Sequence, residues 1–238
     1  MVLGPGIGQE DATKTFVHRL LGIGAEKSTR GVGFVRSAGR AEGHRRASAG
    51  VGFMRAPSSA PADTTADTAT DLKLPPMVID ADALNILAST ENWNEHLAAG
   101  TAVLTPHPGE MARLLGLQDA SEVQADRLGA AQRAASQWQQ VVVLKGANTI
   151  VVAPDGHTVF GPEGNPALAT AGTGDVLSGI IGGLIAQGLN VFDAAKLGVY
   201  LHAEAGVLVR DEIGTAGAVA GDLLDRVPRV ITTIRSGR

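Results

Sequence analysis

Short apolar runs that break off into polar residues recur through the C-terminal two thirds of this chain, and they constrain its fold more than any other feature. Met77-Val78-Ile79 runs into Asp80-Ala81-Asp82-Ala83-Leu84-Asn85. Ala102-Val103-Leu104 runs into Thr105-Pro106-His107-Pro108-Gly109-Glu110, after which Met111, Leu114 and Leu115 take up helical spacing. The run from Val141 to Leu144 ends in Lys145-Gly146-Ala147-Asn148-Thr149, a turn into Ile150-Val151-Val152, and Asp155-Gly156 marks a further hairpin. Helices are expected over 121–139, from Ala171-Gly172-Thr173-Gly174-Asp175 through an apolar and deeply buried 176–184, and over 191–211 and 218–234. Fully apolar strands alternating with helices predict an α/β fold, with a mostly parallel sheet and helices on both faces. In such a fold ligands sit beyond the carboxyl ends of the strands, where these polar loops lie.

Of the 238 residues 44% are hydrophobic but only 3% aromatic, so the core must be built from Ala, Val, Leu and Ile. That length fits one large domain or two small ones, and it allows a substantial core. The absence of cysteine excludes a disulfide framework, thiolate catalysis and Cys-ligated zinc. A net charge of −4 gives no electrostatic footprint for nucleic acid or for an anionic membrane. No stretch approaches about 18 uninterrupted apolar residues, and the start Met1-Val2-Leu3-Gly4-Pro5 lacks the pattern of a signal peptide. A soluble, cytoplasmic protein acting on a small molecule is the expectation.

Residues 22–74 depart from this regularity. They are dense in Gly, Ser, Ala, Thr and Arg, carry little apolar periodicity, and contain a near-duplicate hexapeptide, Gly31-Val32-Gly33-Phe34-Val35-Arg36 and Gly50-Val51-Gly52-Phe53-Met54-Arg55. They read as a disordered, solvated insert.

The strongest chemical signal is Gly172-Thr173-Gly174-Asp175. Glycines ahead of a helix let backbone N–H groups approach an anion, and the helix dipole favours negative charge there. Asp175 would equally serve as an ordinary helix N-terminal residue. Lys145 offers a point charge to phosphate at a strand end, where an isolated Lys-Gly pair would be an ordinary solvated turn. Gly4-Pro5-Gly6-Ile7-Gly8 is a weak motif that a tight turn explains as well. His107, between two prolines, is held on a stiff loop, which favours binding. His202, in an Ala- and Leu-rich helix, reads as a satisfied structural residue. His18, His44, His96 and His157 show no metal-ligand spacing.

Taken in order, Gly-Pro-Gly-Ile-Gly, Val-Ile-Asp-Ala-Asp-Ala-Leu-Asn, Leu-Thr-Pro-His-Pro-Gly-Glu, Val-Leu-Lys-Gly-Ala-Asn-Thr and Asn-Pro-Ala-Leu-Ala-Thr-Ala-Gly-Thr-Gly-Asp resemble the ADP-dependent NAD(P)H-hydrate dehydratases. The resemblance covers residues 1–21 and 76–238. It implies a ribokinase-like three-layer sandwich forming one domain over 1–238, interrupted at 22–74. It also implies repair of hydrated NADH or NADPH, in which ADP (or ATP), with Mg²⁺, phosphorylates the ring hydroxyl and loss of phosphate restores the double bond. By the resemblance Asp175 is the catalytic base and contacts the substrate. Lys145, Gly146, Ala147, Asn148, Thr149, Gly172 and Gly174 bind the nucleotide, Gly6 and His107 bind the hydrated dinucleotide, and Asp80, Asp82 and Asn85 line the same cleft. No metal is expected in an all-protein cage, and a homo-oligomer is expected.

Members of this family carry further strands and helices before the Gly-Pro-Gly motif, so the resemblance implies a fold lacking its N-terminal strands, with an unpaired sheet edge. Two other readings remain at this point. One is a vitamin-precursor kinase of the same superfamily, which would share the Gly-Thr-Gly-Asp chemistry, and the other is an inactive nucleotide-binding fragment.

Overall fold

The computed structural model describes residues 1–24 and 74–237, so nearly all of the expected insert over 22–74 lies outside the described residues. Among the described residues six strands form one sheet, in the order β1 (Val2–Leu3), β2 (Met77–Ile79), β3 (Ala102–Leu104), β4 (Val141–Leu144), β5 (Asn148–Val152) and β6 (Thr158–Glu163). The first four run parallel, and β5 and β6 are antiparallel. β1 is an edge strand with Met1 and Val2 each about 40% exposed. The Asp155-Gly156 hairpin turn joins β5 to β6, and β5 begins at Asn148, so the turn after β4 is shorter than the sequence suggests.

Every residue of β2, β3 and β4 is buried, which is why these strands read as continuous apolar runs rather than as an alternation. The two faces still separate with a period of two. Met77, Ile79, Ala102, Leu104, Val142 and Leu144 pack on one side against α1 (Asp11–Leu21), α2 (Ala81–Ala88), α3 (Pro108–Leu115), α4 (Ala120–Ala125) and α5 (Arg127–Trp138). Val78, Val103, Val141 and Val143 pack on the other side against α6 (Thr173–Ala186) and α7 (Val191–Glu212). Burying such a side chain contributes roughly 1.5–3 kcal/mol, so the aliphatic sheet interior dominates the core. A smaller cluster between α7 and α8 (Val227–Arg235) closes the outer side.

Three expectations need correction. The segment 121–139 is two helices, because the chain turns at Asp126 (φ −146°, ψ 76°), whose carboxylate caps the Gly129 amide at 2.8 Å. The segment 218–234 is a 3₁₀ turn at Ala220–Leu223 followed by α8, where Pro228 lacks the N–H that an unbroken helix would need. Burial of α6 is one-sided: Leu177, Ser178, Ile181 and Gly182 are buried, whereas Gly179 and Gly183 are exposed.

Candidate functional site

The segments that follow β2, β3 and β4 and the first turn of α6 border one open cleft of about 840 Å³. Gly172 caps α6 in the left-handed region (φ 87°), a conformation that a side chain would strain. The amides of Gly174 and Asp175, in the first turn, have no acceptor among the described residues. They form the open positive end that a helix offers to an anion. Thr173 braces this turn by donating from Oγ1 to the carbonyls of Leu168 and Thr170, at 2.8 and 2.9 Å. Asp175 lines the cleft with an exposed carboxylate that has no hydrogen-bond partner among the described residues.

Lys145 extends from the end of β4 to the same place. Its Nζ donates to Asp80 Oδ1 at 2.7 Å and lies 3.8 Å from Glu110 Oε2. Asp80, fully buried, also accepts from the Ser178 hydroxyl at 2.6 Å. The Asp80 and Glu110 carboxylates thus stand against the Lys145 ammonium, and Asp175 adds a further carboxylate to the cleft lining, which suits a polyphosphate accompanied by a hard divalent cation better than a bare polyanion.

His107 caps α3: its Nδ1 accepts from the Gly109 and Glu110 amides at 3.0 and 3.3 Å, and Glu110 Oε2 accepts from the His107 amide at 2.8 Å. With Nδ1 committed as an acceptor, the neutral ring carries its proton on Nε2. Burial holds its pKa below the usual histidine value, against the raising effect of Glu110. The ring lines the cleft, so it serves as a helix cap and as a cleft residue at once.

Gly146, Ala147, Thr149, Gly172 and Gly174 line the cleft together with Lys145, His107 and Asp175. Asn148 and Gly6 fall outside the lining. The Asn148 carbonyl instead accepts from Arg127, whose guanidinium also reaches the carbonyls of Leu144 and Lys145, at 3.1 to 3.3 Å. Asp82 is occupied by the Gly8 amide and the Gln9 side chain, and Asn85 by Arg113, so neither lines the cleft.

Three contributors carry no site role in the sequence reading. Ser178 sits one turn beyond Asp175, a spacing visible in the sequence but without meaning until Asp80 is found beneath it. His202 is structural, as expected, with Nε2 2.9 Å from the Thr173 carbonyl, and it also lines the cleft. Asn165 presents a buried Nδ2 with no hydrogen-bond partner among the described residues, on a wall where an oxygen-rich ligand would supply one.

Comparison with known proteins places this geometry in context. The family model described as NAD(P)H-hydrate dehydratase matches residues 46–229, a span that excludes the Gly-Pro-Gly-Ile-Gly segment. The chain is 50% identical over 161 residues to the bifunctional NAD(P)H-hydrate repair enzyme of Moorella thermoacetica, covering 67% of this chain and 30% of that protein. It is 48% identical over 151 residues to the ADP-dependent (S)-NAD(P)H-hydrate dehydratase of Neisseria meningitidis, covering 62% of this chain and 50% of that protein. It therefore spans half or less of the length of these curated relatives. Among solved structures, the ADP/ATP-dependent NAD(P)H-hydrate dehydratase of Bacillus subtilis, co-crystallised with ATP/Mg²⁺, superposes with a TM-score of 0.56 at 36% identity, over 66% of this chain and 54% of that one. A ribokinase-like superfamily protein of Enterococcus faecalis, at 21% identity and a TM-score of 0.61 over 96% of this chain and 62% of that one, shares the fold. The fold is ribokinase-like.

Proposed function

Since this chain belongs to the NAD(P)H-hydrate dehydratase family, we propose that it restores NADH and NADPH from their hydrates by nucleotide-dependent dehydration. The observation that carries the reading is the convergence of Lys145, His107 and the open first turn of α6, with Asp175, on one cleft. Hydroxide is a poor leaving group, and phosphorylation converts it into a good one.

The Gly174 and Asp175 amides and Lys145 bind the phosphates of ADP or ATP, and Gly146, Ala147 and Thr149 line the wall beside them. Asn148 and Gly6 enter this assignment through the family resemblance rather than through the cleft lining. The Asp175 carboxylate takes the proton of the hydrate's ring hydroxyl as its oxygen attacks the terminal phosphorus, and AMP or ADP leaves. The phosphate ester then breaks at carbon while the ring loses a proton, and the double bond returns. Positioning and fixed electrostatics supply most of such catalysis. Mg²⁺, held chiefly by the phosphates, would neutralise charge there, with Glu110 and Asp175 offering carboxylate oxygens from the cleft wall. His107 contacts the hydrated dinucleotide.

The same reading takes residues 1–238 as one domain interrupted at 22–74, and takes the protein as a cytoplasmic homo-oligomer with no nucleic-acid partner. No helix among the described residues is long and apolar enough to cross a membrane.

The test is recovery of the reduced nicotinamide absorbance from NADH hydrate, Mg²⁺ and ADP, with ADP-free and Asp175→Asn controls. Recovery that needs both ADP and Asp175, with release of free phosphate, supports the dehydratase. A stable phosphorylated product would indicate a kinase instead, and nucleotide binding without chemistry would indicate an inactive fragment.

A further inference from the structure

The Lys145 ammonium stands at the positive end of a helix. A Cβ built at Gly174, in the first turn of α6, would lie 3.4 Å from its Nζ. A cation is repelled from such a helix end unless an anion offsets it. Asp80 is that anion, with one carboxylate oxygen on Lys145 at 2.7 Å and the other accepting from Ser178 at 2.6 Å. Ser178 belongs to α6, so a single buried carboxylate holds both the cation and the helix that would repel it. Thr105, at the end of β3, adds its hydroxyl 3.4 Å from that of Ser178.

We propose that Asp80 is a positioning residue: with Glu110 Oε2 farther off at 3.8 Å, its direct contact keeps the Lys145 ammonium against the first turn of α6 until the phosphates of a nucleoside diphosphate add a further counter-charge. The proposal rests on the nucleotide-dependent reading above. Asp80 lies beneath the cleft rather than in its lining, so it acts through Lys145. Charge alone and positioning predict opposite effects of removing it. Neutralising a carboxylate near a polyanion strengthens binding by Coulomb's law, whereas loss of positioning disconnects Lys145 from the phosphates.

The experiment is calorimetric titration of ADP with Mg²⁺ into the full chain, its Lys145→Met and Asp80→Asn variants, and the double variant. Lys145→Met is expected to weaken ADP binding about tenfold or more in the parent, and less than about threefold once Asp80 is replaced. Equal losses in the two backgrounds overturn the proposal. Ser178→Ala, which keeps both charges and removes only a buried hydroxyl, repeats the comparison should Asp80→Asn fail to fold. It should reduce the cost of Lys145→Met at least twofold, and an unchanged cost overturns the proposal. Absence of ADP binding by the parent chain also overturns it. A chain that binds ADP but forms no NADH from the hydrate overturns the dehydratase reading alone, and the binding cycle then decides this inference separately.

Discussion

His202 Nε2 lies 2.9 Å from the carbonyl oxygen of Thr173, joining the middle of α7 to the first turn of α6. A carbonyl only accepts, so Nε2 is the nitrogen that carries the proton in the neutral ring. Burial pushes the His202 pKa down to about 4, opposed by this hydrogen bond and assisted by the Lys145 charge. The folded value lies below the unfolded one, so the stabilising contribution is complete above about pH 6.5 and is lost as pH falls toward 4. The shift corresponds to roughly 3 kcal/mol at most. Urea unfolding between pH 7 and 4 should show this loss, and His202→Gln, which keeps a donor but does not titrate, should flatten it. An unchanged slope in the variant would mean that other groups govern acid sensitivity.

Asp175→Asn should keep ADP binding and stability while lowering turnover by about 10²–10⁴-fold. The carboxylate is exposed and without a hydrogen-bond partner among the described residues, so its removal breaks no contact described there. Steady-state kinetics alongside a thermal melt separate the two effects. Parent-like turnover would remove Asp175 from the chemistry.

Arg127 places its guanidinium on the carbonyls of Leu144, Lys145 and Asn148, so it shapes the turn that carries Lys145. Arg127→Ala leaves those carbonyls without this donor and should cost about 1–3 kcal/mol. ADP affinity should fall more than kcat at saturating nucleotide. A fall in kcat alone would contradict a role confined to turn geometry.

Gly4 has φ 128°, and a Cβ built there would overlap the carbonyl oxygen of Asp80. Gly4→Ala should therefore destabilise by more than about 3 kcal/mol, since neither the left-handed backbone nor the close approach tolerates a side chain. Equilibrium unfolding measures it, and a loss under about 1 kcal/mol would mean that the β1 turn shifts freely.

Much of the fold was legible because its signals are local. Continuous apolar runs at β2, β3 and β4 report burial on both faces, and Gly172 to Asp175 reports a helix start. The breaks at Asp126 and Pro228 were also written locally. Helical spacing continues across them, and only a cap on the Gly129 amide and the missing N–H of Pro228 show that a new helix starts at each.

The sequence by itself determined an α/β chain with polar loops at its strand ends, the glycine-flanked Asp175, and a motif order that identified the family. Only the tertiary structure decided which of those groups meet. Asp80 is 65 residues from Lys145 and 98 from Ser178 along the chain. It joins them only because parallel pairing of β2, β3 and β4 aligns their ends and α6 packs across that row. Periodicity reports which face of an element is buried, but not which element it is buried against. The placement of Asn148 and Gly6 outside the cleft lining, and of His202 and Asn165 within it, follows from that packing.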